Sequence, residues 1–214
     1  MLALVGPILV AIVGALGLGG SLRGFLRAGI RGWPAMLATF AVELVLYNPP
    51  VDRQGWAMQI GPWIWLVTKL VLLAVLIWNA LPSAGRVSRP WLLAAVGIGL
   101  NTLAIGLNDG HMPQSTEAAL ALWGSSHVDP TRLQNVAPMG PQAVVPWLGD
   151  VFAEPGWLPR ANVVSIGDML LSVGVAWWAF VAAAPFTRLK GRTLGALLGA
   201  PTNEAAHSSW RSTT

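Results

Sequence analysis

Asn108-Asp109-Gly110-His111-Met112-Pro113 and Asn162-Val163-Val164-Ser165-Ile166-Gly167-Asp168 bracket a polar, proline-rich segment between two hydrophobic runs. Two of the three histidines and six of the nine acids fall between Asn108 and Asp168. The segment therefore marks where chemistry would sit, and the apolar runs on either side of it set the fold. Its Pro and Gly content breaks it into short pieces, of which Thr116 to Trp123 reads as a two-turn helix and Asp129-Pro130 as a helix start. At about 58 residues it is too short and irregular for an independent domain, and a cap folded onto the helices is expected.

Moving outward, 54% of the 214 residues are hydrophobic and 10% are charged, with a mean hydropathy of +0.59. A soluble domain carries about a quarter charged residues, so a bilayer is the natural solvent for this chain. The net charge of +4 comes from basic residues that flank apolar runs, a mark of topology that excludes a nucleic-acid partner. With no cysteine, disulfides, thiolate catalysis, zinc–thiolate sites and cysteine-ligated iron–sulfur clusters are excluded. Eleven arginines against two lysines, among abundant Ala, Gly, Leu and Val, point to a bacterial gene rich in G and C.

The apolar runs cover residues 2–20, 33–47, 57–79, 91–107 and 166–184. The expected fold is an all-α integral membrane protein: a bundle of five transmembrane helices with an irregular outward-facing cap, 108–165, between helices 4 and 5. Residues 1–185 form the membrane domain, and 186–214 a basic, loosely ordered cytoplasmic tail. The second run covers only about 22 Å, against roughly 30 Å of hydrocarbon, so a re-entrant hairpin is its alternative. Charge arbitrates. Five spans with the N-terminus outside put nine Lys and Arg inside (Arg23, Arg27, Arg31, Arg86, Arg89, Arg188, Lys190, Arg192, Arg211) and three outside (Arg53, Arg132, Arg160). A re-entrant second run makes the split even, so the positive-inside rule selects five spans in a bacterial plasma membrane, C-terminus cytoplasmic.

Ser165-Ile166-Gly167-Asp168 matches a capping box at the head of the last helix, where the Ser165 hydroxyl accepts from the Asp168 amide and the carboxylate offsets the helix dipole. The functional alternative is that Asp168 also faces a cavity under the cap. Asn108, Asp109, His111, Asp150, Asn162, Ser165 and Asp168 form the candidate ligand- or partner-binding set. The spacing of the histidines fits no metal motif, and no catalytic residue, metal or cofactor is expected. Inside the bilayer, Glu43 and Lys69 need a partner or a water-filled cavity. Centring their helices leaves them about 6 Å apart in depth, close enough to pair. A solute or proton path and snorkelling stay open beside the ion pair. Asn101, with Asn79 and Thr68, is polar enough to join a buried network.

Several motifs are shared with a known group. Gly19-Gly20-x-Leu22 with Arg27-Ala28-Gly29-Ile30-Arg31-Gly32-Trp33, then Leu107 to Pro113, Leu148-Gly149-Asp150 and Val164 to Asp168 carry the likeness across nearly the whole chain. By these motifs the chain resembles a bacterial family of small multi-span membrane proteins classed as a domain of unknown function. His111 departs from the family's Asn-Gly-Gly-Met-Pro form, and Glu43 stands where a glutamine is usual. The resemblance implies a membrane protein with a shared outer motif set and no established activity.

The function expected on these grounds is a non-enzymatic membrane scaffold or accessory subunit whose outer cap binds a partner or ligand. The small-residue faces Ala11/Ala15/Gly19 and Ser172/Ala176/Ala179/Ala183 would let other membrane subunits dock within the lipid bilayer. The alternative is a small transporter or channel using Glu43, Lys69, Asn101 and Asp168. A membrane-embedded hydrolase or transferase is the weakest reading.

Overall fold

The chain is mostly helical. In order it forms α1 (Leu2–Gly17), α2 (Leu22–Arg27), α3 (Trp33–Leu46), a 3-10 turn (Val51–Arg53), α4 (Gly55–Ala80), α5 (Arg89–Leu107), β1 (Met112–Gln114), α6 (Thr116–Trp123), β2 (Val136–Pro138), a 3-10 turn (Pro146–Leu148), β3 (Phe152–Ala153), β4 (Val163–Val164) and α7 (Ile166–Ala183). The computed structural model describes residues 2–81, 89–124, 131–159 and 161–184, with side chains from residue 6 onward. Arg86, His127, the Asp129-Pro130 helix start, Arg160 and the 186–214 tail lie outside the described residues.

Among the described residues, α4, α5 and α7 are long and apolar enough to cross a membrane, while α1 and α3 are shorter apolar helices. Each of the five exposes a large aliphatic side chain, Val10, Leu37, Val67, Leu92 and Val173 respectively. An apolar exterior of this kind suits hydrocarbon and not water.

The core lies where α4, α5 and α7 meet, around Leu72, Leu76, Trp91, Ile98, Leu171 and Trp178. The α5–α7 crossing depends on missing side chains. A Cβ on Gly97 would stand 2.5 Å from the Gly167 carbonyl oxygen, and one on Gly174 would stand 2.6 Å from the Ala94 nitrogen. Glycine at these positions lets the two backbones touch. On the other side α1 lies along α7, with Ala15, Ala179 and Ala183 buried. Both small-residue faces are therefore largely taken up by packing within the chain.

α3 runs antiparallel to α4. At one end a Cβ on Gly32, at φ +69, would stand 3.3 Å from Val75 Cγ2, and Asn79 exchanges hydrogen bonds with the Arg31 backbone at 2.9 and 2.8 Å. At the other end Leu46 packs with Ala57 and Leu133. The two ends of α3 thus pack at different points along α4.

The cap sits where α5 ends and α7 begins, and it contains more order than its sequence suggests. β1 pairs with β2 in parallel, β3 with β4 antiparallel, and Gln114 bridges to Asp150. Pairings of two or three residues show no alternation, yet buried backbone groups need partners and find them here. Asp52, fully buried in the turn after α3, receives a hydrogen bond from Arg132 Nε at 2.6 Å, and its carbonyl accepts from the Leu133 amide at 2.7 Å. This contact fastens the cap to the α3–α4 turn.

Candidate functional site

The site is built on the first turn of α7. Ser165 caps the helix: its hydroxyl oxygen accepts from the Asp168 amide at 3.0 Å, and its own amide donates to Asp168 Oδ2 at 3.1 Å. The capping box is formed. Asn101 of α5 then joins it, donating from Nδ2 to Asp168 Oδ1 at 2.8 Å, while the Ser165 hydroxyl lies 2.8 Å from Asn101 Oδ1. Gly167 makes this possible, because a Cβ there would stand 1.9 Å from Asn101 Oδ1.

Across from this cluster, Lys69 of α4 pairs with Glu43 of α3 at 2.8 Å. The Thr68 hydroxyl donates to the same Glu43 oxygen at 2.8 Å, and the Lys69 ammonium stands 5.2 Å from the centre of the Trp65 ring. The partners retain 16% and 18% side-chain exposure. They are partly desolvated, and that makes leaving either one alone costly.

Between the two clusters lies a cavity of about 240 Å3, lined in part by Met112, Asn135, Asp150, Asn162 and Val164 of the cap. Its polar lining comes from Glu43, Lys69, Asn101, Asn135, Asp150, Asn162, Asp168 and Ser172, and its apolar wall includes Phe40, Trp65, Leu72, Ile98 and Leu171. A groove of about 430 Å3, running past Pro7, Phe152 and Val173, shares Val164, Asp168 and Ser172 with it on the other side of α7.

Asp150 is the least satisfied group in this lining. Its backbone is held twice, the amide donating to the Pro113 carbonyl and the carbonyl accepting from the Ser115 amide, each at 2.8 Å. Gly149 permits that approach, since a Cβ there would stand 2.3 Å from the Pro113 oxygen. The side chain is 7% exposed, and its Oδ1 has no hydrogen-bond partner among the described residues. Burial, reinforced by the Asp168 carboxylate, raises its pKa from 3.8 to about 8. Asp150 therefore carries a proton at neutral pH.

Of the ten polar residues singled out from the sequence, Asp150, Asn162, Asp168, Glu43, Lys69 and Asn101 line the cavity, and Ser165 is buried directly against Asn101. The other three stand outside the lining. Asn108 uses its amide to donate to the Ala104 and Val144 carbonyls and to accept from the Val144 amide. Asp109 is an exposed turn residue at φ +53. His111 places Nδ1 3.1 Å from the Asp109 carbonyl. Asn135 and Trp65 join the lining without having been read from the sequence. Trp65 had a readable signal, one helical turn before Lys69, whereas Asn135 arrives only through the β1–β2 pairing.

No curated protein and no solved structure matches this chain. The model of the family of unknown function DUF5317 matches residues 28–180, a stretch that takes in α3 through most of α7 and every residue of the cavity lining. The chain belongs to the DUF5317 family.

Proposed function

We propose that this protein is a non-enzymatic integral membrane protein that holds a small polar solute between its helices and an outer cap. Asp150 carries the reading: a residue more than nine-tenths buried, fixed by its backbone, with one unpartnered carboxyl oxygen, in the wall of a cavity lined by polar groups from α3, α4, α5 and α7. A buried polar atom without a partner costs about 1–3 kcal/mol. A ligand that supplies the partner recovers that cost. Among the described residues no three acids or histidines gather as a metal site, and the lining contains no histidine to act as a base for its serine.

The same reading takes α1, α3, α4, α5 and α7 as five crossings of a bacterial plasma membrane, with N-terminus and cap outside and the C-terminus cytoplasmic. Supporting it, α2 with Arg23 and Arg27 lies against the end of α7 away from the cap, through the Ser21 amide bonded to the Ala183 carbonyl. Arg31 at the end of α4 and Arg89 at the start of α5 fall on that side too, while Arg53 and Arg132 fall at the cap. That is the positive-inside pattern.

A second reading, an accessory subunit whose cap docks on a partner, is favoured by Trp147 and Trp157, which are 66% and 80% exposed. Native mass spectrometry of the protein released from mild detergent separates the two. A bound mass of a few hundred daltons or less, missing from the Asp150→Asn variant, supports the solute reading. A co-purifying protein with no small-molecule mass, together with no melting shift across a library of small polar solutes, overturns it. Once a solute is known, uptake into proteoliposomes decides whether it is also moved across the membrane.

A further inference from the structure

The lining's charges narrow the solute. Three acidic side chains, Glu43, Asp150 and Asp168, face one ammonium, Lys69, and Lys69 is already committed to Glu43. At the other end the Asn101 amide is spent on the Asp168 Oδ1 oxygen, and the Ser165 amide on Oδ2. What remains is an acceptor without a donor, Asp150 Oδ1. Asn135, Asn162 and Ser172 add neutral polar groups, and the remaining wall is mostly hydrocarbon and aromatic, from Phe40, Trp65, Leu72, Ile98, Ile105 and Leu171. A site with spare negative charge, an unpartnered carboxyl oxygen and a mostly apolar wall fits a monovalent cation that brings N–H donors and a short hydrocarbon body. A divalent metal finds no cluster of three ligands among the described residues.

We infer that the cavity takes a small primary ammonium, and that its entry displaces the proton from the Asp150 carboxyl. The inference rests on the solute-binding reading above and names the class of solute. The exchange balances: R–NH3+ and Asp150–COOH give an R–NH3+/Asp150–COO− pair in the cavity and one H+ in solution, with no covalent bond made or broken in the ligand. Empty, the cavity keeps Asp150 neutral, because burial and the neighbouring Asp168 charge both oppose a second carboxylate. An ammonium beside the Asp150 carboxyl reverses that preference by supplying the missing counter-charge and an N–H donor. The titratable groups facing Asp150 across the cavity are Asp168 from α7, Glu43 from α3 and Lys69 from α4. α5 and β1 contribute no titratable group to the lining, and His111 and Glu117 lie outside it.

The test is calorimetric titration of the full chain in mild detergent with n-butylammonium chloride, in pairs of buffers of different ionisation enthalpy. Binding at pH 6.5 should release close to one proton, and at pH 9 far less. Affinity should rise by up to about tenfold per pH unit below pH 8 and then level off. n-Butanol, which has the body without the charge, and potassium, which has the charge without the body, should each bind at least about tenfold more weakly. Asp150→Asn should abolish proton release and flatten the pH profile, and a cooperative melt no lower than that of wild type checks that it is folded. Proton release that persists in Asp150→Asn, equal binding of n-butanol, or equal binding of potassium each overturns the inference. If n-butylammonium fails while a neutral or anionic solute binds wild type and not Asp150→Asn, the ammonium assignment falls and the solute-binding reading stands. If no solute binds, both fall.

Discussion

Replacing Asp150 with asparagine should make the protein more stable relative to wild type as the pH rises. In the fold Asp150 holds its proton up to about pH 8, against 3.8 for an ordinary aspartate. Below pH 4 both states are protonated and the residue costs nothing. Between pH 4 and pH 8 the unfolded chain gives up this proton and the folded chain keeps it, so wild type loses about 1.4 kcal/mol per pH unit from this residue. Above pH 8 the loss levels off at an upper bound of about 6 kcal/mol. Asparagine keeps the shape and never ionises, so the variant avoids the loss. Thermal unfolding of both proteins in mild detergent at pH 5, 6.5, 8 and 9 reads the difference. At about 2–4 °C per kcal/mol for a chain of this size, the gap in Tm should open by on the order of 10 °C between pH 5 and pH 8, then stay constant. Curves that remain parallel across the whole range would show that Asp150 ionises normally in the fold. The burial argument would then be wrong.

Three further outcomes are expected. Glu43→Gln and Lys69→Met should each lower stability by about 3–5 kcal/mol, since each strands a partly buried charge; the double variant should recover much of the loss, and strictly additive losses in a double-mutant cycle would deny the pairing. Gly167→Ala should cost about 1–3 kcal/mol by overpacking, because its Cβ would stand 1.9 Å from Asn101 Oδ1; Asn101→Ala in the same background should relieve part of that cost, and no relief would mean that the clash lies elsewhere. The chain has no cysteine, so single cysteines report topology cleanly: Thr116→Cys in the cap should label in intact cells with an impermeant thiol reagent and Gly29→Cys should not, and the reverse result would overturn the assigned orientation.

The helices were legible because their signals are local. α6 was readable to the residue, with a serine cap before it and Gly124 at φ +69 after it, and the Ser165–Asp168 box is a four-residue pattern. The ion pair was readable as a coincidence of depth along two helices. The two small-residue faces were legible as surfaces for close packing, but residue spacing could not name their occupant. They read as docking faces for other subunits, whereas α1 and α7 largely bury them against each other.

The sequence by itself determined the apolar character of the chain, the positions of the apolar helices and the residues too polar to be left alone, because hydropathy, caps and charge act over a few neighbours along the chain. Tertiary structure alone decided that Asn101 meets Asp168 across 67 residues, that Asp52 locks onto Arg132 across 80, and that Asp150 lines the cavity while Asp109 does not. Those partnerships depend on where glycines let α5 and α7 touch and on which buried backbone groups the cap must pair. Such contacts are set by the packed chain as a whole and leave no periodic trace in its sequence.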